Sequence, residues 1–160
     1  MTLHEFNAAD EAVAREALLR CCGSKQWTER MLALRPCSEH ETLLSTAESV
    51  WWTLGPTDWL EAFSAHPQIG DKKLSGWCSE EQNGVDAAST RILEQLAKGN
   101  QKYEQRFGWI FLVNASGKTA RAMLDLLHLR LQNGSAEELR VAAGEQAQIT
   151  KLRLNKLLNL

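Results

Sequence analysis

The sequence predicts an all-α protein, a single-domain bundle of about six to eight helices with its site on the loops between them. Apolar residues recur at helical spacing along most of the 160 residues. Glycines, prolines and capping residues divide these stretches at short intervals, and no alternation typical of strands is present. One domain over residues 1–160 is expected, because the sequence contains no repeat, linker or low-complexity segment.

The first 36 residues predict two helices. Asn7 is expected to cap the first, which ends at Gly23. Its apolar face comprises Val13, Ala17, Leu18 and Cys21. The second is short and ends at Arg35-Pro36, because a proline disfavours helix in the residue before it. Its apolar residues are Trp27, Met31 and Leu34.

Two further helices are predicted before residue 67. Ser38 to Glu41 has the pattern of a capping box and opens the third helix, which ends at Gly55-Pro56. The apolar positions of this helix are Leu43, Ala47, Val50, Trp51 and Leu54. Thr57 is expected to cap the fourth helix, which ends at His66-Pro67.

The second half of the chain predicts a longer, interrupted helical region first. Ser79 to Gln82 forms a second candidate capping box, and the helix breaks at Asn83-Gly84. It resumes through Ile92, Leu96 and Tyr103. Only the stretch from Ile110 to Val113 is expected to be extended.

The last two helices are separated by Asn133-Gly134. The first runs from about Thr119 to Leu131, and Ser135 to Glu138 is expected to cap the final one. Glu137 and Glu138 suggest an acid/base pair, but acidic residues are expected in a first helical turn because of the helix dipole alone.

Composition excludes several classes of partner. Hydrophobic residues make up 44% and charged residues 24%, as in ordinary soluble proteins, and the net charge is -2. Basic residues are scattered among acidic ones, so we expect no nucleic-acid partner. The longest apolar run is too short to cross a bilayer, and no signal-peptide pattern is present. A cytoplasmic protein without membrane contacts is therefore expected.

Neither cysteines nor histidines show the spacing of a metal site. The four cysteines, Cys21, Cys22, Cys37 and Cys78, form no C-x-x-C pair and are interpreted as reduced thiols. The four histidines, His4, His40, His66 and His128, are far apart. We expect neither metal nor cofactor.

Two other patterns imitate binding motifs. Ser116 to Thr119 resembles the end of a phosphate-binding loop, but the first glycine of that motif would fall at Leu112. Trp51, Trp52 and Trp59 could stack against a ligand, yet their helical spacing favours a place in the core.

The strongest candidate site begins at His66-Pro67. Proline steers the preceding residue away from helix, so the imidazole is expected on a loop, and Gly70 allows a sharp turn after it. Arg153 lies on or beside the apolar stripe of the last helix. It either faces inward, toward an anionic partner, or extends to solvent.

Five motifs in order resemble the OHCU decarboxylase family over nearly the whole chain. They are H-P-x-I-G at 66–70, Glu81-Gln82, Y-x-x-x-F-G-W-x-F at 103–111, R-L-Q-N at 130–133 and I-T-K-L-R-L at 149–154. The resemblance implies an all-α fold and a lyase of urate breakdown. Its substrate would be 2-oxo-4-hydroxy-4-carboxy-5-ureidoimidazoline, and its products (S)-allantoin and carbon dioxide. The alternatives are another lyase or hydrolase acting on a related ureide, and a non-catalytic helical binding module.

The resemblance also implies the roles of individual residues. His66 would donate a proton, Glu81 would hold the substrate with Gln82, and Arg153 would pair with one of its anionic or carbonyl oxygens. The remaining binding residues would be Pro67, Cys78, Ser79, Phe111, Leu112, Val113, Asn114 and Ala115. Cys78 stands where the family usually has a serine, which is displaced here to Ser79, and Trp109 replaces the second aromatic residue of an F-G-F motif.

The implied chemistry needs no cofactor, since an imine beside the carboxylate-bearing carbon accepts the electrons released with carbon dioxide. The resemblance further implies a homodimer, and an association with other enzymes of the urate pathway is possible.

Overall fold

The computed structural model describes residues 1–67 and 87–159. Over these two ranges the chain forms eight helices and no strand, which confirms the predicted all-α class. The helices are α1 (Leu3–Ala8), α2 (Glu11–Cys21), α3 (Lys25–Ala33), α4 (His40–Thr53), α5 (Pro56–Ser64), α6 (Ala87–Phe107), α7 (Ala120–Arg130) and α8 (Ser135–Leu157). None of these helices is long and apolar enough to cross a membrane.

The chain divides into two compact units. The first comprises Met1–Ala65 and Ala143–Leu160, and the second comprises His66–Ala142. Helix α8 contributes its beginning to the second unit and the rest to the first.

Buried tryptophans fill the first unit, as their spacing predicts. The indole nitrogen of Trp27 donates to the carbonyl of Ala47 at 3.0 Å, and that of Trp51 donates to the carbonyl of Ala143 at 2.9 Å. Trp59 donates to the carbonyl of Trp51 at 3.2 Å. These bonds satisfy the polar end of each buried ring. Trp52 differs, since it is 41% exposed.

The first helices begin elsewhere than the sequence predicts. Thr2 caps α1 in a capping box with Glu5, and α2 starts separately after Asp10. Asn7 is therefore no cap. It lies inside α1, where its side chain exchanges two hydrogen bonds with the backbone of Cys37, at 2.8 and 2.9 Å. The buried face of α2 consists of Ala14, Ala17, Leu18 and Cys21, which leaves Val13 exposed.

Three other predicted details are wrong for related reasons. Glu39, without a side-chain cap bond, precedes α4, so Ser38 opens no capping box. Gly55 precedes α5, because Pro56 suits the first helical position and starts the helix before Thr57 can cap it. Leu34 is the residue that terminates α3 and is 46% exposed, so it does not join the core.

The second unit has its own apolar core between α6 and α7. Its buried members are Leu96, Tyr103, Phe107, Phe111, Val113, Met123, Leu124 and Leu127. Helix α7 begins close to the predicted position, and Thr119 caps it, since its hydroxyl accepts from the amide of Ala122 at 3.1 Å. The predicted capping box at Ser79 to Gln82 and the break at Asn83-Gly84 lie outside the described residues.

Candidate functional site

His66 lies beyond the end of a helix, as the His-Pro step predicts. Helix α5 ends at Ser64, and Ala65 is the residue that terminates it. His66 is half-buried and Pro67 is exposed, so the imidazole stands at the surface of the second unit, off any helix.

Four of the predicted site residues belong to the stretch between residues 67 and 87. Cys78, Ser79, Glu81 and Gln82 all lie outside the described residues. Their convergence on His66 therefore stays a prediction.

The predicted binding segment Phe111–Ala115 leaves the core and reaches the surface within five residues. Phe111, Leu112 and Val113 are buried, Asn114 is half-buried and Ala115 is exposed. The segment belongs to neither helix nor strand. Its main-chain groups must therefore find partners outside regular secondary structure.

A turn follows this segment and explains the sequence that resembles a phosphate-binding loop. The ammonium group of Lys118 donates to the carbonyl of Asn114 at 2.9 Å, and the amide of Ser116 donates to the Asn114 side chain at 3.2 Å. Gly117 has φ 69°, a conformation that glycine adopts most easily. Lys118 thus binds the loop's own backbone.

Arg153 lies on α8 in the first unit and is half-buried. One guanidinium nitrogen, Nη1, donates to the carbonyl of Arg20 at 3.2 Å. Arg20 lies in the last turn of α2, where carbonyls lack helical partners. This contact orients the side chain, and its half-buried position falls between the inward and the solvent-facing alternatives.

A buried ion pair is the principal feature that the sequence interpretation missed. Glu138 is fully buried and Arg130 is 5% exposed. Nε of Arg130 donates to Oε1 of Glu138 at 2.6 Å, and the hydroxyl of Tyr103 donates to the same oxygen at 2.6 Å. The side chain of Asn133 donates to Oε2 at 3.0 Å. Three donors thus surround one carboxylate.

The ion pair reaches the predicted binding segment directly. Nη1 of Arg130 donates to the carbonyl of Leu112 at 2.6 Å, and the guanidinium lies 4.6 Å from the centre of the Phe111 ring. A second connection runs through Trp109, whose indole nitrogen donates to the Tyr103 hydroxyl at 3.1 Å. Nη2 of Arg130 is buried and has no partner among the described residues.

The environment of Tyr103 keeps its hydroxyl protonated. Burial raises the pKa of this phenol well above its usual range, and the hydrogen bond to Glu138 raises it further. A protonated hydroxyl can donate to Glu138 and accept from Trp109 at the same time.

The sequence did contain a signal for this cluster. Arg130 follows the buried Leu127 by three residues, which places a charged residue on the inward face of α7. An inward arginine needs an anionic partner, and the next helix supplies two candidates, Glu137 and Glu138. The dipole explanation is sufficient for exposed Glu137 but wrong for Glu138.

The predicted residues are therefore distributed over both units. His66 and Phe111–Ala115 belong to the second and Arg153 to the first. Within the described residues, no three His, Cys, Asp or Glu side chains are grouped as a metal site would require.

Comparison with known proteins supplies independent information. The family model for OHCU decarboxylase matches residues 7–155. The uric acid degradation bifunctional protein TTL of Arabidopsis thaliana is 39% identical over 146 residues, covering 86% of this chain and 45% of that protein. A 2-oxo-4-hydroxy-4-carboxy-5-ureidoimidazoline decarboxylase from Haloferax volcanii is 25% identical and is matched over 96% of this chain and 94% of its own length.

A solved structure extends the likeness to the fold. A crystal structure of OHCU decarboxylase in the presence of (S)-allantoin superimposes with a TM-score of 0.76 at 35% identity, covering 95% of this chain and 100% of that one. The chain spans less than half the length of the bifunctional relatives it matches. Since the family model covers most of the sequence, the chain belongs to the OHCU decarboxylase family.

Proposed function

We propose that this protein decarboxylates 2-oxo-4-hydroxy-4-carboxy-5-ureidoimidazoline to (S)-allantoin and carbon dioxide, a step of urate breakdown. The match of the family model to residues 7–155 is the observation that carries the proposal. The position of His66, half-buried and off the helix at a His-Pro step, supports it from the structure.

The reaction requires an electron acceptor, which the substrate contains. The bond between the ring carbon and the carboxylate breaks, and its electron pair forms a double bond to the neighbouring ring carbon while the imine nitrogen gains a proton. That neighbouring carbon, which carries the ureido group, then takes a proton as the adjacent hydroxyl becomes a carbonyl. Counted from the carboxylate anion, one proton is consumed in total.

Protein residues would orient the substrate and deliver the proton to one face. His66 would protonate the ureido-bearing carbon, which gives a single enantiomer, and histidine is the side chain that most often serves as a general acid. Glu81 and Gln82 would hold the polar edge of the ring, while Arg153 would bind an anionic or carbonyl oxygen. Pro67, Cys78, Ser79 and the backbone of Phe111–Ala115 would complete the pocket.

The decisive experiment generates the labile substrate from urate in situ and follows allantoin by circular dichroism. We expect the (S) enantiomer of allantoin to form faster than in the spontaneous reaction. The spontaneous reaction gives both enantiomers. Unchanged racemic formation would contradict the proposal and favour a binding module. A different product on mass analysis would favour another ureide lyase or hydrolase.

Metal removal is a separate test of the mechanism. We expect activity to survive exhaustive chelation followed by gel filtration, because the substrate's own imine accepts the electrons. A requirement for added zinc or magnesium to restore turnover would contradict the cofactor-free mechanism.

We also propose a cytoplasmic homodimer that associates with other urate-pathway enzymes. The three cysteines among the described residues, Cys21, Cys22 and Cys37, are free thiols, which agrees with a reducing compartment. Each unit exposes a large apolar side chain that a subunit interface would cover, Trp52 in the first unit and Leu129 in the second. The bifunctional names of several relatives support a link with a second activity. Analytical ultracentrifugation should give twice the mass of one chain.

A further inference from the structure

We infer that Arg130 and Glu138 are positioning residues, a buried ion pair that fixes the backbone of Phe111–Ala115 and thereby the contacts this backbone makes with the substrate. The inference rests on the proposed function, because only that proposal gives the segment a substrate. The claim that the ion pair fixes the backbone depends only on contacts inside the second unit.

The geometry of the guanidinium is the first argument. Nε binds the Glu138 carboxylate and Nη1 binds the Leu112 carbonyl, both at 2.6 Å. Each acceptor is therefore bound by a different nitrogen of the same rigid, planar guanidinium. A lysine ammonium is a point donor on a flexible stem and cannot reproduce this fork.

The position of the Leu112 carbonyl also supports a positioning role for Arg130. Leu112 is buried but lies outside helix and strand, so its carbonyl has no ladder partner. Arg130 supplies the hydrogen-bond donor for this carbonyl. Leu112 lies three residues before Ala115, where the segment reaches the surface. The guanidinium of Arg130 also lies over the ring of Phe111, and this contact holds the residue before Leu112.

A second connection to the same carboxylate is the third argument. Trp109 donates to the Tyr103 hydroxyl, which donates to Glu138. The chain is thus tied to Glu138 on both sides of Ile110. A buried ion pair is seldom the most stable solution, since apolar residues of similar volume often replace it without loss. A positioning role explains why charges occupy this core.

Kinetics of Arg130→Lys provide the first test. Backbone groups that hold the substrate equally in the ground and transition states affect KM and leave kcat unchanged. We expect KM to rise about 10-fold, kcat to stay within about 3-fold, and the pH profile of kcat to keep its shape. Glu138→Gln should change KM in the same direction, since the neutral amide holds Arg130 less firmly.

Leu96→Ala serves as the matched control. Leu96 belongs to the same core and is buried, but no hydrogen bond joins its side chain to the segment. The truncation should destabilise the second unit and leave KM unchanged for the folded protein. An equal rise of KM in Leu96→Ala would show that general loosening of the core suffices, and would overturn the inference.

Hydrogen exchange by mass spectrometry provides a readout independent of activity. In Arg130→Lys, amides of a peptide covering 109–116 should exchange at least about 10-fold faster, while helix α7 keeps its protection. Unchanged exchange together with unchanged KM would overturn the inference. If the wild-type protein fails to turn over substrate, the proposed function fails, and exchange alone then decides whether the ion pair fixes the backbone.

Tyr103→Phe keeps the test decisive if Arg130→Lys does not fold. The substitution keeps the buried ring and removes only the hydroxyl that links Trp109 to Glu138. We expect faster exchange at 109–116 and a smaller rise of KM. Wild-type values of both would overturn the inference.

Discussion

His66 owes its position to the residue that follows it. Proline disfavours helix at the preceding residue, and the structure ends α5 at Ser64, two residues earlier. This local effect operates within a few residues, which is why the sequence alone predicts it correctly. What surrounds the imidazole depends on distant parts of the chain, and the predicted partners Glu81 and Gln82 lie outside the described residues.

Replacement of His66 tests its proposed role as proton donor. Since His66 is half-buried and off the helix, we expect His66→Ala and His66→Asn to fold normally. The rate should fall roughly 100-fold or more, the magnitude typical of general acid catalysis. Stereospecific allantoin formation and far-ultraviolet circular dichroism measure the two effects. Full stereospecific activity in His66→Ala would remove the residue from the mechanism.

Arg153→Lys tests whether a guanidinium is required rather than a positive charge. Arg153 already donates to the Arg20 carbonyl, so its orientation is partly set by the protein. Lysine keeps the charge but loses the fork of donors, and we expect substrate binding and rate each to fall by about 10-fold or more. Steady-state kinetics with substrate made in situ provide the measurement.

Lys151→Ala is the control for that substitution. Lys151 lies on the same helix two residues away and is exposed, so its loss should have little effect on kinetics. Near-normal kinetics of a folded Arg153→Lys would mean that the substrate contact comes from another residue.

At the scale of helices, the sequence predicts which stretches are helical better than where each helix begins and ends, and it joins α1 and α2 into one helix. Apolar spacing is repeated over many residues, so Leu43, Ala47 and Trp51 identify α4 despite the wrong cap. A cap depends on a single residue, and neighbouring residues compete for it: Ser38 with Glu39 before α4, and Gly55 with Thr57 before α5. A shift of one or two residues changes the cap and leaves the apolar spacing of the helix unchanged.

Alanine substitution at two helical glycines should change the free energy of unfolding in opposite directions. A Cβ at Gly99 in α6 would lie 2.5 Å from Cδ2 of Leu127, a fully buried side chain with little room to move. Gly99→Ala should lower the free energy of unfolding, since overpacking costs about 1–3 kcal/mol. A Cβ at Gly144 in α8 would meet no described residue within 4 Å, so Gly144→Ala should raise the free energy of unfolding by roughly 0.5–1 kcal/mol.

Urea denaturation of both variants measures this difference, with the wild-type protein as reference. Stabilisation by Gly99→Ala would mean that α6 and α7 can separate enough to admit a methyl group.

At the scale of the whole molecule, charge and composition predict the class of protein but not its internal ion pair. The net charge of -2 and the scattered basic residues describe the surface. Arg130 and Glu138 lie on consecutive helices, and their pairing depends on how those helices fold back on each other. The helical position of Arg130 indicates that it faces inward, but only the fold shows that its partner is Glu138.

Buried thiols should set an alkaline limit to stability. Burial raises the pKa of Cys21 and of Cys22 from 9.0 to about 11. The unfolded chain therefore loses these protons first, so the stabilisation is fully present below pH 9 and is lost as pH rises through about 11. At pH 10 we expect a loss of about 1 kcal/mol per thiol relative to pH 8.

Cysteine variants separate this effect from other alkaline titrations. Cys22→Ala should lose less stability between pH 8 and pH 10 than the wild-type protein, because one of the two titrating thiols is gone. Cys37→Ala is the control, since Cys37 is only half-buried and its thiol is less protected from ionisation. Urea denaturation under reducing conditions at the two pH values provides the free energies. Equal losses in the wild-type protein and Cys22→Ala would show that Cys22 ionises as readily in the folded protein as in the unfolded chain.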